Sequence, residues 1–231
     1  GYTFSRASSQ TYEKSDGTLG TVTSGNPAFT YSGGTAQGVL LEGARTNVAL
    51  QSQALATTPW GGVAAGTGSA VTRTNNYGTA PDGSSTATRV QANLNGGTTS
   101  SDQSYVYQSL TATNATGSFW IKTTDASTKQ IYLRGSNATT VTVTGSWQRF
   151  TFDAGTLSGT NFGIGLRGGQ GVACSDTADI LVWGAQLEAG AFASSYIPTT
   201  TGSVARVATS LTRSWNFPSN NFSGQIKVRP Q

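Results

Sequence analysis

The feature that most constrains this chain is a period-two alternation repeated in four short runs. Across 105–110, Val106 and Leu110 share one face while Tyr105 and Tyr107 take the other. Phe119 and Ile121 oppose Trp120 and Lys122, and Ile131 and Leu133 oppose Tyr132 and Arg134. Phe162, Ile164 and Leu166 oppose Gly163, Gly165 and Arg167. Successive side chains of a strand point to opposite faces, so each run reads as a strand with aliphatic residues or Phe turned inward. The spacing predicts strands near 69–73, 85–91, 104–111, 117–123, 130–134, 140–144, 147–153, 161–167 and 179–188, separated by Gly, Asn, Asp and Ser clusters. That pattern is the signature of an antiparallel β-sandwich. The only helical signal is at 50–60, where Gln51, Gln53, Ala54 and Leu55 precede Thr57-Thr58-Pro59; it predicts one or two turns.

Composition excludes several function classes. The 231 residues hold 30 Gly and only 10% charged residues, which fits many turns and an uncharged Ser, Thr, Asn and Gln surface. No apolar run is long enough for a membrane helix, and no signal-peptide pattern opens the chain. With no His, neither a Ser-His-Asp or Cys-His arrangement nor a His-based metal site can form. Cys174 is the only cysteine and has no internal disulfide partner. The net charge of +4 comes from scattered residues, so nucleic acid is not an expected partner; Arg206, Arg213, Lys227 and Arg229 read as a solvated terminal arm. The nearest carboxylate pairs, Asp176 with Asp179 and Glu13 with Asp16, sit in turn-like surroundings where Asp caps backbone N–H groups. Paired-carboxylate catalysis is therefore not expected, and the chain reads as a non-enzyme. Gly163-Ile-Gly-Leu-Arg-Gly168 matches a dinucleotide-binding pattern, but Gly169-Gln-Gly-Val-Ala is no helix start to hold a pyrophosphate. The absence of Met and the strand-like run at 222–229 lead us to expect a segment of a longer polypeptide.

The outward faces point to a ligand. They carry Tyr, Trp, Arg, Lys or bare Gly rather than ordinary polar residues. A pyranose presents an apolar C–H face to an aromatic ring, and its hydroxyls need partners at the rim. The expected contact set is Trp120, Tyr132, Arg134 and Arg167, with Tyr105 and Tyr107 behind them and Gly163 and Gly165 leaving a shallow floor. Two arrangements compete with this one. Consecutive strands in such a sandwich often belong to opposite sheets, which would divide the set. Alternatively, the 1–50 arm or a neighbouring subunit covers the aromatics.

Both ends of the chain carry longer motifs. Phe4-Ser-Arg-Ala-Ser-Ser-Gln-Thr-Tyr12, Asp16-Gly17, Asn26-Pro-Ala-Phe-Thr-Tyr31 and Gly38-Val-Leu-Leu-Glu-Gly-Ala-Arg-Thr-Asn47 come first. Ala80-Pro-Asp-Gly83, Thr86-Ala-Thr88 and the closing stretch from Trp183 through Gln186, Glu188, Tyr196 and Pro198 to Arg206 follow. In that order they resemble a jelly-roll domain of bacteriophage tail-fibre and other virion proteins, related to carbohydrate-binding modules; the middle third matches only in pattern. The resemblance implies an all-β, antiparallel jelly roll; the patterning places it at 51–198, after an extended arm at 1–50 that lacks strong periodicity and before a Ser/Thr/Asn-rich extended C-terminal segment or linker at 199–231. It also implies a non-enzymatic virion structural protein of tail-fibre or head-fibre type. Such a protein would lie at the virion surface among other virion proteins, attaching to host cell-surface glycan in several copies. Tail fibres are commonly trimeric, although no heptad pattern argues for a homo-oligomer here. Related modules often hold a structural calcium ion where the first and last strands meet, and Glu42, Asn47 and Glu188 stand at about those positions as oxygen donors; rim hydrogen bonds are their other reading. Two further functions fit the same resemblance. One is a purely structural fibre, decoration or connector domain without a glycan ligand; the other is an accessory to a depolymerase encoded elsewhere in a parent chain.

Overall fold

A computed structural model describes residues 1–213. The run at 222–229, Lys227 and Arg229, and the expected C-terminal extension from 214 onward lie outside the described residues. Among the described residues every regular element is a strand, and all pairings are antiparallel.

Two long strands build the sandwich: β10 (Gln103–Thr123) and β13 (Gln148–Arg167) pair along nearly their whole length. The sequence reading expected two strands in each of these stretches. The ladder instead runs on through register shifts between Leu110 and Thr116, opposite Gly155 and Gly159, which adopt φ of +72° and +64°. Such bulges bend a strand pair without ending it. The half of β10 before the bend joins β7 (Gly61–Ala65), and the matching half of β13 joins β11 (Lys129–Arg134) and then β12 (Thr139–Val143), giving the first sheet. Beyond the bend, β10 pairs with β14 (Thr177–Ala189), followed by β9 (Ala87–Asn93) and β8 (Thr72–Gly78), giving the second.

The fold-over is visible in one contact. Phe162 lies opposite Gln108, and Phe119 is eleven residues further along β10, about 36 Å away in a flat strand at ~3.3 Å per residue. Their rings nevertheless stack at 4.7 Å. The inward residues read from the alternation meet here: Val106, Phe119, Ile121, Ile131, Leu133, Phe162, Ile164 and Leu166 all belong to one buried core, closed by Trp60 and Leu55. Ile180 and Val182 of β14 and Val90 of β9 supply the rest of its second-sheet wall.

Two local readings need correction. The expected strand at 69–73 lies at 72–78. No helical turn forms at 50–60, where successive turns place Ala54, Thr57 and Trp60 N–H on the carbonyls of Gln51, Ala54 and Thr57. The carbonyl of Leu50 is taken instead by the Trp60 indole and the Gln108 amide, which holds the segment off a helical path. The glycine-rich run at 163–168, read from the sequence as lacking a following helix start, ends a strand and has no helix after it among the described residues.

The arm is more structured than its sequence suggested. It forms two hairpins, β2 (Gln10–Glu13) with β3 (Leu19–Val22) and β4 (Phe29–Ser32) with β5 (Thr35–Val39). It also receives the C-terminal segment, as β1 (Tyr2–Ser5) pairs with β16 (Ser210–Arg213) and β6 (Arg45–Asn47) with β15 (Val204–Arg206).

A buried polar network ties these ends to the sandwich. Asn47 donates to the carbonyls of Ala185 and Ile197 and accepts from the N–H groups of Ala49 and Leu187. Glu42 accepts from Ser195 and Gln10 and lies 3.1 Å from the Arg206 guanidinium. Arg206, expected in a solvated arm, is 2% exposed, because its guanidinium also donates to Gly43 and Ser195. Arg6 reaches Gln10 and the carbonyls of Ser8, Thr23 and Asn26. The motif residues of the two ends thus bind each other.

Candidate functional site

Residues directly opposed across an antiparallel ladder share a face. In the first sheet one row therefore runs Gly61, Tyr107, Gly163, Arg134, and the next Val63, Tyr105, Gly165, Tyr132, Thr140; Arg167 stands opposite Gln103. These rows lie on the side away from the core. Five of the expected residues, Tyr105, Tyr107, Tyr132, Arg134 and Arg167, are thereby brought together.

The face is layered. Tyr132 and Tyr105 are 0% and 3% exposed, so neither offers an open ring. Tyr105 meets Tyr132 and Tyr107 edge-on at 6.0 and 6.2 Å. The Tyr132 hydroxyl accepts from Arg134 Nη1 at 3.0 Å and Arg167 Nη1 at 3.2 Å, which orients both guanidinium groups. Arg167 also lies 5.9 Å from the Tyr132 ring centroid, and Asn161 donates to the Tyr105 hydroxyl. Tyr107, Arg134 and Arg167 form the half-buried outer layer. Among the described residues neither arginine has a carboxylate within ion-pair distance.

Glycine is required beneath them. A Cβ on Gly165 would come within 2.5 Å of Tyr105 Cα, at φ +155°, and one on Gly163 would run into the Val106 carbonyl. The expected glycine floor is not open: Gly163 and Gly165 are themselves buried, because the Tyr105 and Tyr132 rings, flanking Gly165 from either side, meet 6.0 Å apart over it. The result is a closed tyrosine layer with the half-buried Tyr107, Arg134 and Arg167 above it.

Trp120 is elsewhere. It lies beyond the bend, opposite Arg149 and Trp183, on the outer face of the second sheet. There it packs beside a buried group of Leu181, Trp183 and Tyr196, with Leu19 of the arm against the same group. The alternation rightly places it outward, but the bulges at 110–116 turn this half of β10 into the other sheet. Trp120 instead lines a cleft of about 500 Å³ beneath the arm, with Tyr12, Tyr31, Gln37 and Arg149. No local pattern marks these residues, because segments more than a hundred residues apart build the cleft.

The calcium expectation meets donors already engaged. Glu188 accepts from Gln186, from Ser194 N–H and from Ser194 Oγ, and lies 3.7 Å from Arg45. The Asn47 carbonyl oxygen takes two N–H groups. With Arg206 beside Glu42 and Arg45 beside Glu188, these three residues do not fit a shared cation site. The carboxylate pairs are also occupied. Asp179 lies on β14 rather than in a turn, and its carboxylate pairs with Arg89, which holds it below its usual range. Asp176 accepts from Gly96 N–H, Asp16 from Thr18 and Glu13 from Gly33.

Comparison with known proteins found no matching family model and no matching curated protein. Among solved structures, the chain is similar to a family 11 carbohydrate-binding module of the cellulosomal cellulase Lic26A-Cel5E of Clostridium thermocellum, at 16% identity and TM-score 0.38, covering 64% of this chain and 96% of that one. A family 11 carbohydrate-binding module from Clostridium thermocellum in complex with a β-1,3-1,4-mixed-linked tetrasaccharide matches at 15% identity and TM-score 0.30, over 73% of this chain and 95% of that one. The CBM22-1-GH10 modules of the Clostridium thermocellum xylanase Xyn10B, complexed with xylohexaose, match at 12% identity and TM-score 0.35; the alignment covers 63% of this chain and 28% of that one.

Proposed function

We propose that the chain is a non-catalytic glycan-binding jelly roll whose ligand lies on the outer face of the first sheet. Tyr107 would stack against a sugar ring, while Arg134 and Arg167 donate to its hydroxyl or ring oxygens. Tyr132 and Tyr105 act as positioning residues beneath them. The observation that carries this reading is the pair of half-buried guanidinium groups oriented by one tyrosine hydroxyl beside Tyr107, without a carboxylate partner among the described residues. A purely structural face would more simply pair such cations with carboxylates.

The proposed setting is the surface of a virion, with attachment to host glycan; it rests on the motif resemblance of the two chain ends. The test is a glycan array that includes xylohexaose and a β-1,3-1,4-mixed-linked tetrasaccharide, probed with wild type, Tyr107→Ala and Arg134→Ala. Specific binding that both substitutions weaken about tenfold or more supports the reading. A blank array for folded protein favours the ligand-free structural role.

A further inference from the structure

We propose that the cleft between the arm and the second sheet is a separate sugar site, taking one or two neutral pyranose rings. Its volume of about 500 Å³ lies within the range of small-ligand pockets, about 300–1,000 Å³. The floor is the cross-strand pair Trp120 and Arg149. Each carries a buried donor without an acceptor among the described residues, Trp120 Nε1 and Arg149 Nε. Arg149 is held in place by Nη1 donating to the Ser194 carbonyl at 2.7 Å and Nη2 to Ser118 Oγ at 3.0 Å. Both nitrogens are closed to water, so a ligand would meet this floor through the half-exposed Trp120 ring rather than through these donors.

The wall supplies the complementary chemistry. Tyr12 and Tyr31 offer rings, and Glu13 and Gln37 offer oxygens. The Tyr12 ring lies across Gly20 of the partner strand, where a Cβ would come within 2.8 Å of it, so its place is fixed. Sugar hydroxyls can hydrogen-bond to Glu13 and Gln37 of the wall while ring C–H groups pack on Trp120, Tyr12 and Tyr31. A carboxylate-bearing sugar would face Glu13 and Glu42, which is why the neutral class is assigned. The site shares no residue with the first-sheet face, so the two stand or fall separately.

The experiment is a titration of ¹⁵N-labelled protein followed through its indole N–H resonances, with the Trp120 peak assigned from Trp120→Phe. The probes are methyl glycosides of glucose, galactose, mannose and N-acetylglucosamine, cellobiose, lactose and galacturonic acid. At least one neutral sugar is expected to shift the Trp120 peak saturably. That affinity should fall about tenfold in Gln37→Ala and in Tyr31→Ala while persisting in Tyr107→Ala, with the other indole peaks reporting intact folding. The proposal is overturned if no neutral sugar moves the peak, if only galacturonic acid does, or if the arm substitutions leave the affinity unchanged.

Discussion

Replacing Asn47 by Ala tests whether the chain ends lock the sandwich. The side chain is 0% exposed and makes bonds of 3.1 and 2.8 Å to the carbonyls of Ala185 and Ile197, and of 3.0 Å from both Ala49 and Leu187 N–H. Alanine would strand all of these backbone groups in a dry interior. An unpaired buried group costs about 1–3 kcal/mol, and partial relaxation brings the net loss to about 4 kcal/mol. For a domain of this size ~1 kcal/mol moves Tm by about 2–4 °C, so the midpoint should fall by about 8–16 °C. Calorimetry measures it directly, with Ser158→Ala at an exposed position as the control. Asn47→Asp keeps the acceptor bonds but aims a charged oxygen at two carbonyls, and should cost at least as much. A drop within about 3 °C of the control would refute the lock.

Other perturbations test the remaining elements. Gly165→Ala forces a Cβ onto the Tyr105 backbone and should destabilise the fold by about 1–3 kcal/mol in urea titration while weakening first-sheet binding; a neutral effect would contradict the close approach. Tyr132→Phe should hold Tm within a few degrees yet loosen glycan binding about five- to tenfold, since both arginines lose their common acceptor. Asp102 is held well below the usual carboxylate range by Thr67 N–H first, then by the Thr99 hydroxyl and N–H. A lowered folded-state pKa contributes stability above the ordinary value of about 3.9 and loses it as pH falls below. The stability gap between wild type and Asp102→Asn should therefore narrow below about pH 4; a gap that widens in acid would contradict the assignment.

Legibility in the sequence followed physical range. Period-two alternation is local, so the inward faces of 106–110, 119–121, 131–133 and 162–166 can be read without tertiary knowledge, and all line one core. Sheet membership is not local. Nothing in 110–116 announces that β10 stays hydrogen-bonded while bending, so alternation alone groups Trp120 with tyrosines that stand on another sheet. The arm's hairpins escape such a reading because few of their residues are buried, which leaves little alternation to follow. Glu42, Asn47 and Glu188 are visible as a group of oxygen donors, but whether such oxygens face a cation or N–H groups depends on Arg206, Arg45 and Ser194 arriving from elsewhere.

The most direct test maps bound glycan onto the protein. Backbone and arginine Nε chemical shifts would be recorded while an array-selected oligosaccharide is titrated in. The largest changes are expected at Tyr107, Arg134, Gly163, Gly165 and Arg167, with the opposite core strands silent. Saturable binding whose changes fall on the turns at the sandwich ends, leaving those five residues unmoved, would contradict the account.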